Sequence, residues 1–442
     1  MVHAMLISRL NLKEEWQMKD MSLNLEYIHI KDVRFGDKTQ IEDGVLTVDK
    51  AELIEEIKSP EFESIDVDLA KPGESVRIIP VKDVIEPRVK VETEKMFTGI
   101  LDGYDLCGEG TTKVLKGCCV TTTGKIVGFQ EGIIDMTGPA TDYCMYSKLI
   151  NIVLIAEPVE GITPAEHEKA IRMIGLKAAL YLAKAGLDVE ADEVKTYHKD
   201  PVDPAKKLPK VAYAYLIMAQ GLLHDNFVYG LNAQELPALL IHPNELWDGA
   251  IVSGNCVTAS DKNTTYDNQN HAIVEELYAR HGKDLEFCGL IASPISTILG
   301  EKERNAMVTV NLATQCGADS IIISQEGGGN PEADLMLICE RAEKRDIKSV
   351  IVLHDNPGPD GTSEPMANTS PMATAIVTTG NDNCIVTLPE MEKNIGHREQ
   401  LHLLSGCPED CEQGNGTIKV GLLVIMGSTS NLGFGKYCTE PY

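Results

Sequence analysis

The runs LEFCGLIAS at 285–293, DSIIISQ at 319–325 and SVIVLHD at 349–355 decide the fold class of this chain. Each run is short, apolar and rich in β-branched residues, which is typical of a buried strand. The segments between them have helical periodicity and predict helices from about 300 to 316 and from Pro331 to about 344. Alternating strands and helices build parallel sheets with helices on both faces. We therefore predict an α/β fold with a doubly wound parallel sheet in the C-terminal half.

Outward from this stretch, the chain divides into segments of different character. Residues 21–150 are mainly β-branched runs punctuated by glycine and proline, which predicts a β-rich N-terminal domain. Residues 151–255 add strand and helix patterns and predict an α/β segment. Residues 256–442 are predicted to form the doubly wound α/β domain, with further strands in ATAIVTT and NCIVTLP. Residues 1–20 share no pattern with the rest and are interpreted as an N-terminal extension or a misassigned start.

The composition argues against several classes of function. A formal net charge of −27 disfavours nucleic acid and anionic membranes as partners, because phosphate recognition requires clustered lysine and arginine. No apolar run has the length of a membrane span, and the N-terminal stretch lacks the pattern of a secretion signal. Twelve cysteines at irregular spacing fit reduced thiols better than a disulfide framework. We therefore expect a cytoplasmic protein without membrane association.

Familiar cofactor and metal motifs are missing from the sequence. No G-x-G-x-x-G opens a helix and no phosphate loop is complete, so no nucleotide cofactor is expected. Cys407 and Cys411 lack the second ligand pair that tetrahedral zinc needs, and we expect no metal. The glycine-rich loop SQEGGGNP at 324–331 precedes a helix, so its amides are candidates for holding a small anion. A tight turn explains the same residues, and both interpretations stay open.

The most chemically unusual segment is DGAIVSGNCVTASDKNTTYDNQN at 248–270. It gathers polar residues directly after an apolar strand, and Asp261, Lys262 and Asn263 follow closely on its one cysteine, Cys256. A polar loop rich in turn-forming residues is the ordinary explanation of such a composition. Composition alone therefore does not separate a structural role from a reactive one.

Longer segments of the chain resemble a known family. The resemblance covers residues from about 23 to 442 and is carried by RFGDKT, LAKPGESVRIIPVKDVIEPRVKVE, TTGKIVGFQEGIIDMTGP, SGNCVTASDKNTTY, RHGKDLEF and SQEGGGNP. These segments are similar to the pyruvoyl-forming precursor of the component B alpha and beta subunits in glycine, sarcosine and betaine reductases. The resemblance implies a proprotein that is cleaved between Asn255 and Cys256. Residues 21–255 then correspond to the beta chain and 256–442 to the alpha chain.

The cleavage that the resemblance implies depends on a thiol. The Cys256 thiol attacks the preceding carbonyl, loss of the α proton expels the acyl-thio group, and hydrolysis leaves a pyruvoyl group derived from Cys256. Gly254 is expected to tolerate the strained backbone that this rearrangement requires. The polar neighbours are expected to supply proton transfer and an oxyanion donor. The candidates, which the sequence does not separate, are Thr258, Asp261, Lys262 and Asn263.

The resemblance further implies reductive deamination of an amino acid in a hetero-oligomeric complex. The pyruvoyl carbonyl is expected to activate the substrate amine as an iminium, which a selenocysteine- or cysteine-containing component B subunit displaces. The carboxymethyl group then passes to a small selenoprotein A, and acetyl phosphate is formed. Betaine fits this chemistry less well than glycine or sarcosine, because its quaternary nitrogen forms no iminium and prefers an aromatic cage. The candidates for substrate binding are His224, Gln325, Glu326, Gly327 and Gly328.

Two alternatives remain at this stage. A D-proline reductase precursor uses the same pyruvoyl logic on a ring amine, but by resemblance it is a longer chain. A non-catalytic subunit that binds a small carboxylate or serves in assembly would keep Cys256 intact. A denaturing gel separates these classes, because the enzyme precursor gives two bands and the silent subunit gives one.

Overall fold

The fold is described from a computed structural model for residues 21–128, 131–220, 225–254 and 257–432. The predicted N-terminal extension and the predicted site residues His224, Asn255 and Cys256 lie outside these ranges.

The described residues form a mixed α/β fold. In the first part of the chain, the strands are β1 (Leu23–His29), β2 (Asp32–Phe35), β3 (Gln40–Glu42), β4 (Val45–Val48), β5 (Phe62–Ala70), β6 (Val76–Ile85), β7 (Arg88–Lys90), β8 (Gly110–Lys116), β9 (Cys118–Gly124), β10 (Gly132–Asp135), β11 (Ile150–Pro158) and β12 (Glu193–Tyr197). They are followed by β13 (Lys210–Met218), β14 (Phe227–Val228), β15 (Leu231–Asn232), β16 (Leu239–Ile241), β17 (Ile251–Val252), β18 (Glu286–Ile295), β19 (Ser320–Gln325), β20 (Lys348–Asp355), β21 (Ile376–Asn381), β22 (Ile385–Leu388), β23 (Lys393–Gly396) and β24 (Ile418–Gly421). The α-helices are α1 (Lys50–Glu56), α2 (Pro164–Lys184), α3 (Asn244–Trp247), α4 (Thr265–Gln269), α5 (Ala272–Arg280), α6 (Leu299–Gln315) and α7 (Asn330–Glu343).

The N-terminal part is rich in strands, as its β-branched runs predict. One sheet has the order β12-β1-β8-β7, and a second has the order β10-β6-β9-β11-β5, with β23 paired to β6. Helix α2 packs on the second sheet through apolar side chains that recur at helical spacing, including Ile171, Ile174 and Leu182. Burying each such side chain contributes about 1.5–3 kcal/mol. The helix begins at a capping box formed by Thr163 and Glu166, which satisfies amides of its first turn.

The C-terminal sheet confirms the predicted doubly wound class. Its strand order is β16-β18-β13-β19-β20-β21, and every pair except β16 with β18 is parallel. Helices α6 and α7 pack on one face, against side chains such as Ala214 of β13. Helix α5 packs on the other face, against alternate side chains such as Tyr213. After β13 the chain continues to β18, which lies on one side of β13. It then passes back across β13 to β19 on the other side, so the winding direction of the sheet reverses between β13 and β19.

The expectation that residues 256–442 form this sheet alone is wrong. Strands β13 and β16 precede residue 256, and β13 lies near the centre of the sheet. Conversely, β23 follows residue 256 but joins the N-terminal sheet. Side chains between Leu388 and Met426 also share a core with those of β6 and β10. Local periodicity predicts strands but not their partners, because pairing is decided by contacts between distant segments. The predicted β-rich N-terminal domain and the predicted doubly wound C-terminal domain therefore exchange strands and core residues.

No helix in the described ranges is both long enough and apolar enough to cross a bilayer.

Candidate functional site

The segment around the predicted cleavage site lies where the sheet reverses its winding direction. In open α/β sheets, ligands bind in the crevice beyond the carboxyl ends of the strands at this point. Here the two carboxyl ends are Met218 of β13 and Gln325 of β19. Val257 borders the same crevice, because a Cβ built on Gly327 would lie 2.9 Å from Met218 Cε and 3.1 Å from Val257 Cγ1. The residue that follows Cys256 is therefore positioned beside both strand ends.

The polar segment that follows Val257 is buried rather than exposed as a surface loop. It lies between the N-terminal and C-terminal sheets and bonds to both. Thr265 donates to Asp83 of β6 at 2.6 Å, and Asn263 Nδ2 donates to the hydroxyl of Tyr215 on β13 at 3.0 Å. Burying this many polar groups is costly unless they are hydrogen-bonded. The buried polar side chains of the segment are Ser260, Asp261, Lys262, Asn263, Thr264, Thr265, Asp267, Asn268, Gln269 and His271.

Glu326 connects the segments that meet at this crevice. Its carboxylate accepts from the Met218 amide at 3.1 Å, from the Asn226 side chain and from the Asn263 amide at 3.0 Å. Burial raises the pKa of Glu326 to about 7, while these bonds and the charge of Lys262 act to lower it. The predicted site residues Asn263 and Glu326 are thus brought into direct contact.

Lys262 is a buried cation whose charge is offset by several carboxylates. Its ammonium lowers the pKa values of Glu326, Asp83 and Glu131, although burial still raises the pKa of Asp83 to about 6. Glu131 is itself paired with Lys82 at 2.6 Å. The carboxyl groups of Asp83 and Glu326, whose pKa values are raised toward neutrality, are suited to proton transfer.

Asp261 belongs to a second buried cluster, at the carboxyl end of β20. The ring of His354 lies 3.5 Å from an Asp261 oxygen through Nδ1 and 3.5 Å from an Asp382 oxygen through Nε2. Burial raises the pKa values of Asp261 and Asp382 to about 7, and their mutual repulsion adds to the effect on Asp382. No local pattern predicts this bridge, because Asp261, His354 and Asp382 lie far apart in the sequence.

In the glycine-rich loop after β19, an amide that was a candidate for holding an anion caps a helix instead. The amide of Gly329 donates to the Glu332 side chain at 3.1 Å, which caps α7. Gly328 packs on the His354 ring, where a Cβ would lie 2.6 Å from Nε2. Gln325 donates to the Gly327 carbonyl at 2.8 Å. This loop therefore closes the crevice sterically and links it to the His354 cluster.

Thr258 and Gly254 flank the predicted cleavage site. Thr258 is half-buried, and its carbonyl accepts from the Asp261 amide at 3.2 Å. The φ angle of Gly254 lies outside the left-handed region that favours glycine. Instead, glycine is required for space: a Cβ there would lie 2.9 Å from the Asp225 carbonyl and 3.0 Å from Arg172 Nη1.

Gly254→Ala is therefore expected to lower the free energy of unfolding by about 1–3 kcal/mol, as overpacking of a buried site does. Cleavage is expected to slow as well, because the backbone next to the cut must shift. Thermal unfolding and a time course on a denaturing gel measure the two effects. Gly414→Ala is the matched control, since an added methyl there meets nothing within 4 Å. Equal behaviour of the two variants would contradict the steric role of Gly254.

Asp261 leads to a prediction about pH. Its pKa rises from 3.8 to about 7 on folding, so between these values the folded state binds more protons than the unfolded state. The contribution of Asp261 to stability is therefore present at low pH and is lost as pH rises through this window. The unfolding free energy of Asp261→Asn should increase relative to wild type between pH 4 and pH 8. Urea denaturation across this range tests it, with Asp105→Asn as an exposed control. A difference that does not vary with pH would exclude the effect.

The two cysteines once considered for zinc are buried in the C-terminal part. Cys411 Sγ lies 3.9 Å from His402 Nδ1, and burial raises the pKa values of both Cys407 and Cys411. Within the described ranges, no group of three or more His, Cys, Asp or Glu side chains has the arrangement of a metal site.

Comparison with known proteins decides the family. The model for glycine/sarcosine/betaine reductase component B subunits matches residues 21–440. The chain belongs to this family. It is 48% identical over 430 residues, which is 96% of this chain and all of the relative, to "Glycine reductase complex component B subunits alpha and beta" of Acetoanaerobium sticklandii. The corresponding protein of Peptoclostridium acidaminophilum is 45% identical over 428 residues, again 96% of this chain and all of the relative.

Another component B relative is named for a different substrate. "Sarcosine reductase complex component B subunit alpha" of Peptoclostridium acidaminophilum is 44% identical over 428 residues, covering 96% of this chain and all of the relative. No solved structure gives a significant match. Arg172, Asp83 and Asp382 were not predicted as site residues. They carry no local motif, and only the fold brings them to the crevice.

Proposed function

We propose that this component B chain is a proprotein that cleaves itself between Asn255 and Cys256 and carries a pyruvoyl group on the new C-terminal chain. The observation that supports it most is the position of the flanking residues: Val257 lies at the winding reversal of the sheet, and Gly254 lies beside the buried Arg172. The name of the Acetoanaerobium sticklandii relative, which assigns alpha and beta subunits to one chain of similar length, supports it further.

The cleavage step follows from the chain's own atoms. The Cys256 thiol adds to the Asn255 carbonyl, and the amide C–N bond breaks as the thioester C–S bond forms. Removal of the Cys256 α proton then breaks the Cβ–S bond, which leaves a thiocarboxylate on Asn255 and a dehydroalanine on the new chain. Water then hydrolyses the nitrogen-bearing carbon of the dehydroalanine, which releases ammonia and leaves the keto group. Lys262, Glu326 and Asp261 are the buried titratable groups that we assign to these proton transfers.

The surroundings fit a small, polar acyl group. Lys262 is 5% exposed and Glu326 is fully buried, so bulk water has little access to their charges. Burial raises the pKa of Glu326 to about 7, which allows it to gain or lose a proton near neutrality. When present, a pyruvoyl carbonyl supplies an electrophile that withdraws electrons from the C–N bond of a bound amine. We infer that the substrate is glycine or an N-methylated glycine, as the names of the relatives suggest. We also infer a selenocysteine- or cysteine-containing component B subunit and a small selenoprotein as partners.

A denaturing gel with intact-mass measurement tests this function. The purified chain is expected to give two fragments, and the C-terminal one is expected to begin with a blocked residue that has lost nitrogen and sulfur and gained oxygen relative to cysteine. A hydrazide probe, which reacts with ketones, is expected to label that fragment alone. A single full-length band without label would instead indicate the non-catalytic subunit.

A further inference from the structure

Buried arginines in this chain are normally paired at short range. Arg77 donates from Nε and Nη2 to Asp135 at 2.6 and 2.7 Å. Arg88 donates to Glu86 at 3.0 and 2.6 Å and to the Trp247 carbonyl at 2.9 Å. Such pairing compensates the cost of removing a guanidinium from water.

Arg172 of α2 departs from this pattern. It is 7% exposed, yet in the part of the chain that the structure describes it donates only through Nη1, at 3.4 and 3.5 Å, to Glu168. These distances are longer than those of a good charged hydrogen bond, about 2.7–2.9 Å. The guanidinium stacks on Phe227, 3.7 Å from the ring centroid, which fixes its plane. Burial lowers the pKa of Arg172, as expected for a cation that is incompletely compensated.

The guanidinium of Arg172 lies beside Gly254, the residue before Asn255. A Cβ on Gly254 would lie 3.0 Å from Arg172 Nη1 and 2.9 Å from Glu168 Oε1, so the absence of a side chain there leaves the Arg172–Glu168 pair facing the backbone. Cys256 follows two residues later, a span of at most about 7 Å. Lys262, the other buried cation near this segment, already offsets the charges of several carboxylates.

We propose that Arg172 binds a carboxylate at the cleavage site. A guanidinium held by a ring presents paired donors that match the two oxygens of a carboxylate. Two sources supply this chemistry: the carboxylate of the bound amino acid, and the carboxylate that forms on Asn255 once its thiocarboxylate is hydrolysed. The inference rests on the proposed function, from which the identities of both carboxylates are taken.

Equilibrium dialysis with labelled glycine and labelled glycinamide distinguishes the first source. Glycinamide keeps the amine but lacks the carboxylate. If Arg172 receives the substrate, Arg172→Met weakens glycine binding by about 10- to 100-fold, the range expected for a charged hydrogen-bonded pair, and leaves glycinamide binding unchanged. Arg172→Lys, which keeps the charge but not the paired donors, should fall between. Arg280→Met, which removes an exposed arginine from α5, should bind both compounds as the wild type does.

Unfolding measurements distinguish the second source. If the Asn255 carboxylate is the ligand, Arg172→Met destabilises the cleaved chain more than the uncleaved chain made by Cys256→Ala, and the ratio of glycine to glycinamide affinity stays at its wild-type value. Equal destabilisation of both chains with unchanged ligand affinities, or no effect of any kind, would overturn the proposal. Failure of the proposed function is seen separately, as an uncleaved wild-type chain without hydrazide labelling. Loss of glycine binding in Arg172→Met would still reveal a carboxylate site in that case.

Discussion

Cys256→Ala is expected to leave the chain at full length on a denaturing gel, whereas the wild type gives two fragments. Alanine has no nucleophile to attack the Asn255 carbonyl, so the amide cannot be exchanged for a thioester. Cys256→Ser should cleave slowly or not at all, because a hydroxyl is a weaker nucleophile and its ester eliminates less readily. The hydrazide probe should label neither uncleaved variant.

Cys316→Ala is a suitable control for the loss of a thiol. This cysteine lies at the end of α6, away from the crevice, and its thiol is partly exposed. Its removal should leave both fragments and the hydrazide label as in the wild type. Two fragments from Cys256→Ala would show that another group performs the cleavage, and the self-processing proposal would be abandoned.

Glu326→Ala is expected to lower the free energy of unfolding by about 3 kcal/mol or more, because each buried donor that loses its acceptor costs about 1–3 kcal/mol. The donors concerned are the Met218 amide, the Asn226 side chain and the Asn263 amide. Since these groups hold β13, the segment before β14 and the polar segment together, cleavage should also be slowed strongly. Urea denaturation measures the first effect, and the time course of fragment formation measures the second.

Two further variants serve as comparisons for the effect of Glu326→Ala on stability. Glu303→Ala removes an exposed carboxylate from α6 and should change stability by less than about 0.5 kcal/mol. Glu326→Gln keeps an acceptor oxygen but turns an amide nitrogen toward the donors, so it should lose part of the stability. Wild-type stability and cleavage in Glu326→Ala would show that Glu326 does not organise the crevice.

Much of the local structure was predictable from the chain itself. The runs at 285–293, 319–325 and 349–355 form β18, β19 and β20 as expected, because a buried parallel strand needs an uninterrupted apolar run. The helices between them match the prediction to within a residue or two. The class of sheet followed from that alternation, since crossovers between parallel strands usually contain a helix.

The site was predictable only in part. Asp261, Lys262, Asn263 and Glu326 were candidates, and the structure brings Asn263 and Glu326 into contact. The steric constraint on Gly254 was not predicted, because it depends on α2 and on the carbonyl of Asp225.

The sequence by itself determined the elements, the family resemblance and the cysteine on which the proposed chemistry depends. Those features are local, because periodicity, capping and motif spacing act over a few residues. Only the tertiary structure placed β13 at the centre of the C-terminal sheet, buried the polar segment between two sheets and set Arg172 beside Gly254. Each of these depends on contacts between segments far apart in the chain. Their free energy comes from packing and hydrogen bonds that no local pattern encodes.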